Sequence, residues 1–196
     1  MGASIATTAT STAAPDSETP FVLFIGSSTC KGEYGADWVS FLPAVPGLAY
    51  CNRGVNGAMV PMLIDLVNSG EIPRPPRAVV VMVGGNDLTN FLTGLRMDAR
   101  LGRGKSSPPL FAQEVSELLT LVEAKWGAGV RTAVFAVKPM GEVPGGELDK
   151  WTREYNAALQ VWCMCVRGWG RGSGGGAWVR GVRQPSGAER CIRSSA

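Results

Sequence analysis

Four short apolar runs, separated by segments of helical spacing, constrain the fold of this chain more than any other sequence feature. The runs are rich in valine, isoleucine and phenylalanine, and each is followed closely by a glycine, an asparagine or a proline. An apolar run without alternation is typical of a strand that is buried on both faces, as in a parallel sheet. The predicted strands are Phe21–Ile25, Leu48–Cys51, Ala78–Val83 and Val130–Val137.

Helical segments lie between and after these strands. Apolar residues three and four positions apart predict helices around Val60–Val67, around Phe111–Val122 and over Glu147–Gln160. Two prolines, Pro108 and Pro109, open the second of these helices. Strands that alternate with helices in this way indicate an α/β fold, here a three-layer α/β/α arrangement with a parallel sheet.

The two ends of the chain differ in composition from its middle. Residues 1–20 are mostly alanine, threonine and serine, and we expect a disordered tail there that lacks the features of a signal peptide. Residues 21–160 carry the apolar pattern and form the predicted domain. Residues 161–196 hold 8 glycines and 6 arginines without a leucine or a periodic pattern, so we expect an irregular tail.

Two interpretations of residues 161–196 stay open. A genuine Arg/Gly tail would bind nucleic acid weakly through phosphates, since it holds 6 arginines against Glu189 alone. The favoured interpretation is a shifted reading frame or an unspliced intron. The helical and strand periodicity ends at Gln160, and the Arg, Gly, Trp, Ser, Ala and Cys residues that follow are those that GC-rich DNA encodes in a wrong frame. Residues 1–160 hold 13 basic and 15 acidic residues, and this near-neutral balance disfavours nucleic acid as a partner of the domain.

The composition also limits the catalytic and metal-binding groups that this chain can supply. The 196 residues include no histidine, which removes the commonest general base and the commonest metal ligand. The 5 cysteines are an odd number without framework spacing, so reduced thiols in a cytosol-like compartment are the expectation. No apolar run is long enough to predict a membrane-spanning helix.

Polar, glycine-flanked segments follow three of the predicted strands. They are Gly26–Thr29, Asn52–Gly57 and Gly84–Asp87. Because ligands of a parallel α/β sheet bind beyond the carboxyl ends of the strands, these segments predict one site. A hydroxyl, a glycine N–H and an amide side chain are the groups that acyl transfer needs: a nucleophile, and donors for the developing oxyanion.

The blocks FIGSSTCKGEYG, NRGVNG and VGGNDL resemble, in this order, the first three sequence blocks of the SGNH (GDSL-type) esterases and lipases. The resemblance covers about Phe21–Gln160 and implies a flavodoxin-like SGNH-hydrolase fold. It implies that Ser28 is the nucleophile and that Ser28 N–H, Gly54 N–H and the Asn86 side chain form the oxyanion hole. Asp87 is implied to be a supporting hydrogen bonder. The substrate would be a small-molecule ester, and no metal or organic cofactor is implied.

The sequence departs from the family pattern in two places. Ser27 replaces the acid of Gly-Asp-Ser, and the Asp-x-x-His block expected beyond Gln160 is absent from a chain without histidine. Loss of the imidazole that takes the Ser28 proton costs roughly 10⁴–10⁶ in rate. We therefore expect an inactive or weakly active hydrolase with an incomplete C-terminal part. Lys31 and Lys138 are the nearby cations that could form a Ser–Lys pair instead.

Simpler explanations of the same residues stay open. Gly26-Ser27-Ser28 could be only a strand-to-helix turn with an N-cap serine. Gly57 is expected to serve turn geometry, and Asn86–Asp87 could be a turn pair. Cys30 and Cys51 are expected to be small buried residues near strand ends. The alternative function is a non-catalytic binding module for an acylated sugar or lipid, and an RNA-associated role of the tail ranks last.

Overall fold

The computed structural model describes residues 18–32, 37–93, 107–137, 145–167, 170–171 and 177–179. Most of the predicted N-terminal tail, most of residues 161–196 and Lys138 lie outside these ranges. None of the helices within them is long and apolar enough to cross a membrane.

A parallel sheet forms the centre of the molecule, as the apolar runs predicted. Its first four strands in chain order are β1 (Phe21–Gly26), β2 (Ala49–Gly54), β3 (Ala78–Met82) and β4 (Arg131–Phe135). They lie in the order β2-β1-β3-β4, and each neighbouring pair is parallel. The chain leaves β1 on the side of β2 and later returns to β3 on the other side of β1. The strand order therefore reverses at β1, which is the point where open α/β sheets bind ligands.

Helices cover the sheet and supply about half of the larger core. The helices in chain order are α1 (Ser28–Lys31), α2 (Val60–Asn68), α3 (Gly85–Thr93), α4 (Pro108–Trp126) and α5 (Glu147–Arg167). The larger core cluster joins one face of the sheet to the apolar faces of α2, α4 and α5, as the three- and four-residue spacing predicted. Tyr155 of α5 is fully buried there, and its ring packs against that of Phe111 of α4 with the centroids 5.0 Å apart.

The other face of the sheet carries a smaller core. A 3₁₀ turn, Trp38–Phe41, places Val39 in this cluster together with Phe24 of β1. The Phe24 ring meets Trp38 edge-on at 5.4 Å. Cys30 of α1 belongs to the same cluster, so this core packs against the turn that carries Ser28.

The chain after Gln160 differs from the sequence expectation. Helical spacing ended the last helix at Gln160, but α5 continues to Arg167. Two short strands follow, β5 (Gly170–Arg171) and β6 (Ala177–Val179), and β6 pairs antiparallel with β4 at the sheet edge. Edge pairing uses the backbone N–H and C=O groups, so the three residues Ala177–Val179 join the sheet although so short a run shows no period in the sequence.

Candidate active site

The carboxyl ends of β1, β2 and β3 bring the three polar segments together. Gly26, the last residue of β1, lies opposite Gly54 of β2 on one side and opposite Met82 of β3 on the other. The chain leaves these ends through Ser27, Val55 and Val83. The segments that the sequence analysis placed at one rim therefore lie on three adjacent strands, with the β1 segment in the middle.

Ser28 is the first residue of α1 and lies at the centre of this rim. Its side chain is half-buried, whereas the hydroxyl of the preceding Ser27 belongs to a buried residue. The backbone N–H of Ser27 donates to the carbonyl of Met82 at 3.1 Å, which ties the start of α1 to β3. A Cβ on Gly26 would lie 2.2 Å from that same carbonyl oxygen, so this close crossing requires glycine.

Gly54 supports α1 from the side of β2. A Cβ there would lie 2.3 Å from the backbone nitrogen of Lys31, so α1 packs directly on the bare Cα of Gly54. The Gly54 N–H, which the resemblance assigns to the oxyanion hole, donates to Asn52 Oδ1 at 3.0 Å. This donor is therefore already engaged by a side chain of its own strand.

Asn86 is anchored to the loop that follows β2. Asn86 and Asp87 lie in the first turn of α3 and do not form the turn pair that was the alternative interpretation. The Nδ2 of Asn86 donates to the carbonyl of Ala58 at 3.0 Å. Nδ2 carries a second hydrogen, which the Ala58 carbonyl does not use. Gly57, the neighbour of Ala58, has a φ of +69°. This conformation confirms the expectation that Gly57 serves turn geometry, because it is one that side chains disfavour.

Gly57 is also a candidate donor that the sequence analysis passed over. Within the described residues its N–H makes no hydrogen bond, and Ala58, the next residue, is the one that holds Asn86. The available signal was the second glycine of Asn52–Gly57, which spacing alone did not distinguish from Gly54.

Asp87 lies beneath the rim as a fully buried carboxyl. Its Oδ1 accepts a hydrogen bond from the Val60 N–H at 3.2 Å, and this bond caps the start of α2 from a neighbouring helix. Burial raises the pKa of Asp87 to about 7, the Val60 hydrogen bond lowers it in part, and the charge of Glu114 on α4 raises it further. The Tyr155 hydroxyl donates to the Asp87 carbonyl at 3.3 Å.

The thiols near the rim are not suited to nucleophilic attack. Cys30 and Cys51 are both buried and are not joined in a disulfide, as expected for small residues near strand ends. Burial, and to a lesser degree the Asp37 charge, raises the pKa of Cys30 to about 12, so its thiol stays protonated at neutral pH. Burial likewise raises the pKa of Cys51, against a smaller lowering by Arg53. The candidate nucleophile at the rim is therefore a hydroxyl and not one of these two thiols.

The sequence also indicated Lys31 and Lys138 as possible bases and predicted no metal site. Lys31 is exposed on α1, whereas a lysine that serves as a base is held in a desolvated pocket. Lys138 lies outside the described residues. Within the described ranges, no three His, Cys, Asp or Glu side chains come together as a metal ion requires.

A family model described as GDSL-like lipase/acylhydrolase matches residues 1–167 and includes all three rim segments. This chain belongs to the GDSL-like lipase/acylhydrolase family. The match ends at Arg167, the last residue of α5, so β5 and β6 lie beyond it. No curated protein sequence matches this GDSL-like chain.

Solved structures share the fold of this GDSL-like chain at low sequence identity. An alpha/beta hydrolase, LAE5, from the metagenome of Lake Arreo is 17% identical with a TM-score of 0.59, over 77% of this chain and 73% of that one. The acetylxylan esterase Axe2 from Geobacillus stearothermophilus is 16% identical with a TM-score of 0.58, over 78% and 73%. A lipolytic G-D-S-L family protein from Veillonella parvula is 16% identical with a TM-score of 0.53, over 74% and 72%.

Proposed function

We propose that this polypeptide is a GDSL-type ester hydrolase in which Ser28 is the nucleophile. The observation that carries the proposal is the meeting of three elements at adjacent strand ends: the turn of Ser28, the loop from Gly54, and the first turn of α3 with Asn86. Membership of the acylhydrolase family supports the same reaction class. The substrate is a small-molecule ester.

The reaction follows from these groups. The Ser28 oxygen attacks the ester carbonyl, its proton passes to a base, and the carbonyl electrons move onto the oxygen. The Ser28 N–H and the Asn86 amide donate to this oxyanion. The loop after β2 supplies a further N–H, from Gly54 if it is shared with Asn52, or from Gly57. Collapse expels the alkoxide, which takes the proton back from the protonated base and leaves as the neutral alcohol. Acyl-Ser28 remains, and water then hydrolyses it by the same steps.

The base is the weak part of the site. The 196-residue polypeptide has no imidazole, Lys31 is exposed and Lys138 lies outside the described residues, so solvent or an added base is the expected acceptor of the Ser28 proton. Without its base a serine hydrolase loses roughly 10⁴–10⁶ in rate, while the oxyanion donors keep part of the acceleration. We therefore expect slow, Ser28-dependent turnover that a small soluble base accelerates.

The test compares three forms of the 196-residue polypeptide on 4-nitrophenyl acetate: the unchanged chain, Ser28→Ala and Ser27→Ala. Rates are measured with and without imidazole, and the Ser28→Ala rate is subtracted as background. The expected result is an imidazole-dependent rate in the unchanged chain and in Ser27→Ala, which removes a hydroxyl one residue earlier. Equal rates for the unchanged chain and Ser28→Ala in imidazole would overturn the proposal.

The acyl group is chosen from the comparison. Axe2 is described as an acetylxylan esterase, so acetyl esters of short sugars are the first natural substrates to assay. Acetate release from acetylated xylo-oligosaccharides, measured in imidazole, should depend on Ser28. Release only from longer acyl chains would assign the polypeptide to lipid esters instead.

A further inference from the structure

The side chain of Asn52 connects the turn of Ser28 to β2 through a complete set of hydrogen bonds. Asn52 is only 6% exposed and lies in β2, two residues before Gly54. Its Nδ2 donates to the carbonyl of Cys30 at 2.8 Å and to Asp37 Oδ1 at 2.9 Å. Its Oδ1 accepts from the Gly54 N–H at 3.0 Å and from Cys30 Sγ at 3.4 Å.

These bonds use the whole capacity of the amide, which has two N–H donors and two acceptor lone pairs. The orientation of the amide is also determined, because the Gly54 N–H can only donate and must face Oδ1. An apolar residue at this buried position would leave the Gly54 N–H and the Cys30 carbonyl without these partners. The amide therefore serves contacts that packing alone does not supply.

The contacts of Asn52 bear on Ser28 because α1 is a single turn. A helix of this length, Ser28–Lys31, has no stability of its own, so its position depends on what holds it. The Asn52 amide holds the carbonyl of Cys30, two residues after Ser28, and the Lys31 backbone rests on Gly54. One side chain thus connects the nucleophile's turn with the glycine loop.

Asp37 extends this connection to the segment beyond α1. Its Oδ1 accepts from Asn52 Nδ2 and also from the Val39 N–H at 3.1 Å, where it caps the 3₁₀ turn. Asn52 therefore ties β2 to α1 and to the 3₁₀ turn at the same time. The Asp37 carboxylate makes the bond to the amide a charge-assisted one.

We infer that Asn52 is a positioning residue of the ester hydrolase: it holds the Ser28 turn and the β2 glycine loop in the relative placement that acyl transfer requires. This inference rests on the proposed function. Asn52 touches neither the nucleophilic oxygen nor the substrate, so it acts through Cys30 and Gly54. Since a misplacement of about 1 Å costs about 10²-fold in rate, loss of the amide should lower kcat with little change in KM.

The experiment uses Asn52→Leu, Asn52→Asp and the double variant Asn52→Asp/Asp37→Asn in the full chain. Asn90→Leu is the matched control, because Asn90 is also a buried amide and its Nδ2 bonds Met59 Sδ at 3.3 Å, not a backbone group of α1 or Gly54. Ser28-dependent hydrolysis of 4-nitrophenyl acetate in imidazole gives kcat and KM. Hydrogen exchange of backbone amides, followed by NMR, reports the state of α1 and Gly54.

The expected result is a fall in kcat of about 10²-fold for Asn52→Leu, with KM within about twofold, and exchange at Gly54 and Lys31 at least about tenfold faster. Asn52→Asp removes both donors and places a charge beside Asp37, so it should resemble Asn52→Leu. In the double variant the amide and the carboxylate exchange places. An amide donor then faces a carboxylate acceptor again, and this exchange of partners should restore part of kcat.

Each other outcome has a defined meaning. Faster exchange with an unchanged kcat for Asn52→Leu would show a purely structural role and overturn the inference. Unchanged exchange at Gly54, or an equal fall in kcat for Asn90→Leu, would also overturn it. No Ser28-dependent turnover in the unchanged chain would overturn the proposed function, and the positioning role with it, so the two failures are distinguishable.

Discussion

Asp87→Asn tests the buried carboxyl beneath the rim. Asp87 has no exposed surface, its Oδ1 accepts from the Val60 N–H, and its Oδ2 has no hydrogen-bond partner among the described residues. Burial raises the pKa of Asp87 from 3.8 to about 7, against the lowering by Val60 and with a further increase from Glu114. The folded protein therefore holds this carboxyl neutral at pH values where the unfolded chain ionises it.

The sign and size of the effect follow from this difference. A raised pKa in the folded state contributes stability that is fully present below the unfolded pKa of 3.8 and is lost as the pH rises toward about 7. Each pH unit in that window costs about 1.4 kcal/mol. Between about pH 4.5 and about pH 8 the unchanged chain should lose about 3 kcal/mol from this group alone.

Urea unfolding followed by tryptophan fluorescence measures the effect at each pH. The amide in Asp87→Asn keeps an Oδ1 acceptor for the Val60 N–H and cannot ionise. The free energy of unfolding of this variant, relative to the unchanged chain, should therefore rise by about 3 kcal/mol across this range. Glu114→Gln should shrink the trend, because it removes the charge that raises the pKa of Asp87. Glu117→Gln, at an exposed position of α4, is the control. A difference between Asp87→Asn and the unchanged chain that does not vary with pH would refute the reasoning.

Two further sets of substitutions test the packing of the rim and of α5. Gly54→Ala should lower the free energy of unfolding by about 2–4 kcal/mol, because its Cβ would lie 2.3 Å from the Lys31 nitrogen. Gly57→Ala, at a φ of +69° and with open space, should cost only about 1 kcal/mol; equal losses in urea unfolding would contradict this account. Asn156→Ala removes hydrogen bonds of 2.7 and 3.0 Å to both backbone groups of Val137 and should cost about 2–3 kcal/mol. If the Val137 amide still exchanged slowly with solvent in that variant, the hydrogen bond to Asn156 would not be what protects it.

The sequence predicted the long elements better than the short ones. The four strands and α2 and α4 were found because each carries enough apolar residues to show a period. The turn α1 has four residues and the glycine-led α3 follows a strand directly, so neither produced a periodic signal. β2 runs on through Asn52 and Arg53 to Gly54, past the predicted end, because backbone pairing with β1 does not require apolar side chains.

The sequence by itself determined the parallel sheet, the family, and the placement of Ser28, Gly54 and Asn86 at one rim. It could do so because parallel strands send their carboxyl ends to a single edge, whatever the order in which they pair. Only the tertiary structure decided that the Gly54 N–H faces Asn52, that Asp87 is buried beside the charge of Glu114, and that β6 pairs with β4. Those outcomes depend on which groups, far apart along the chain, meet in space, and such contacts leave no periodic trace in the sequence.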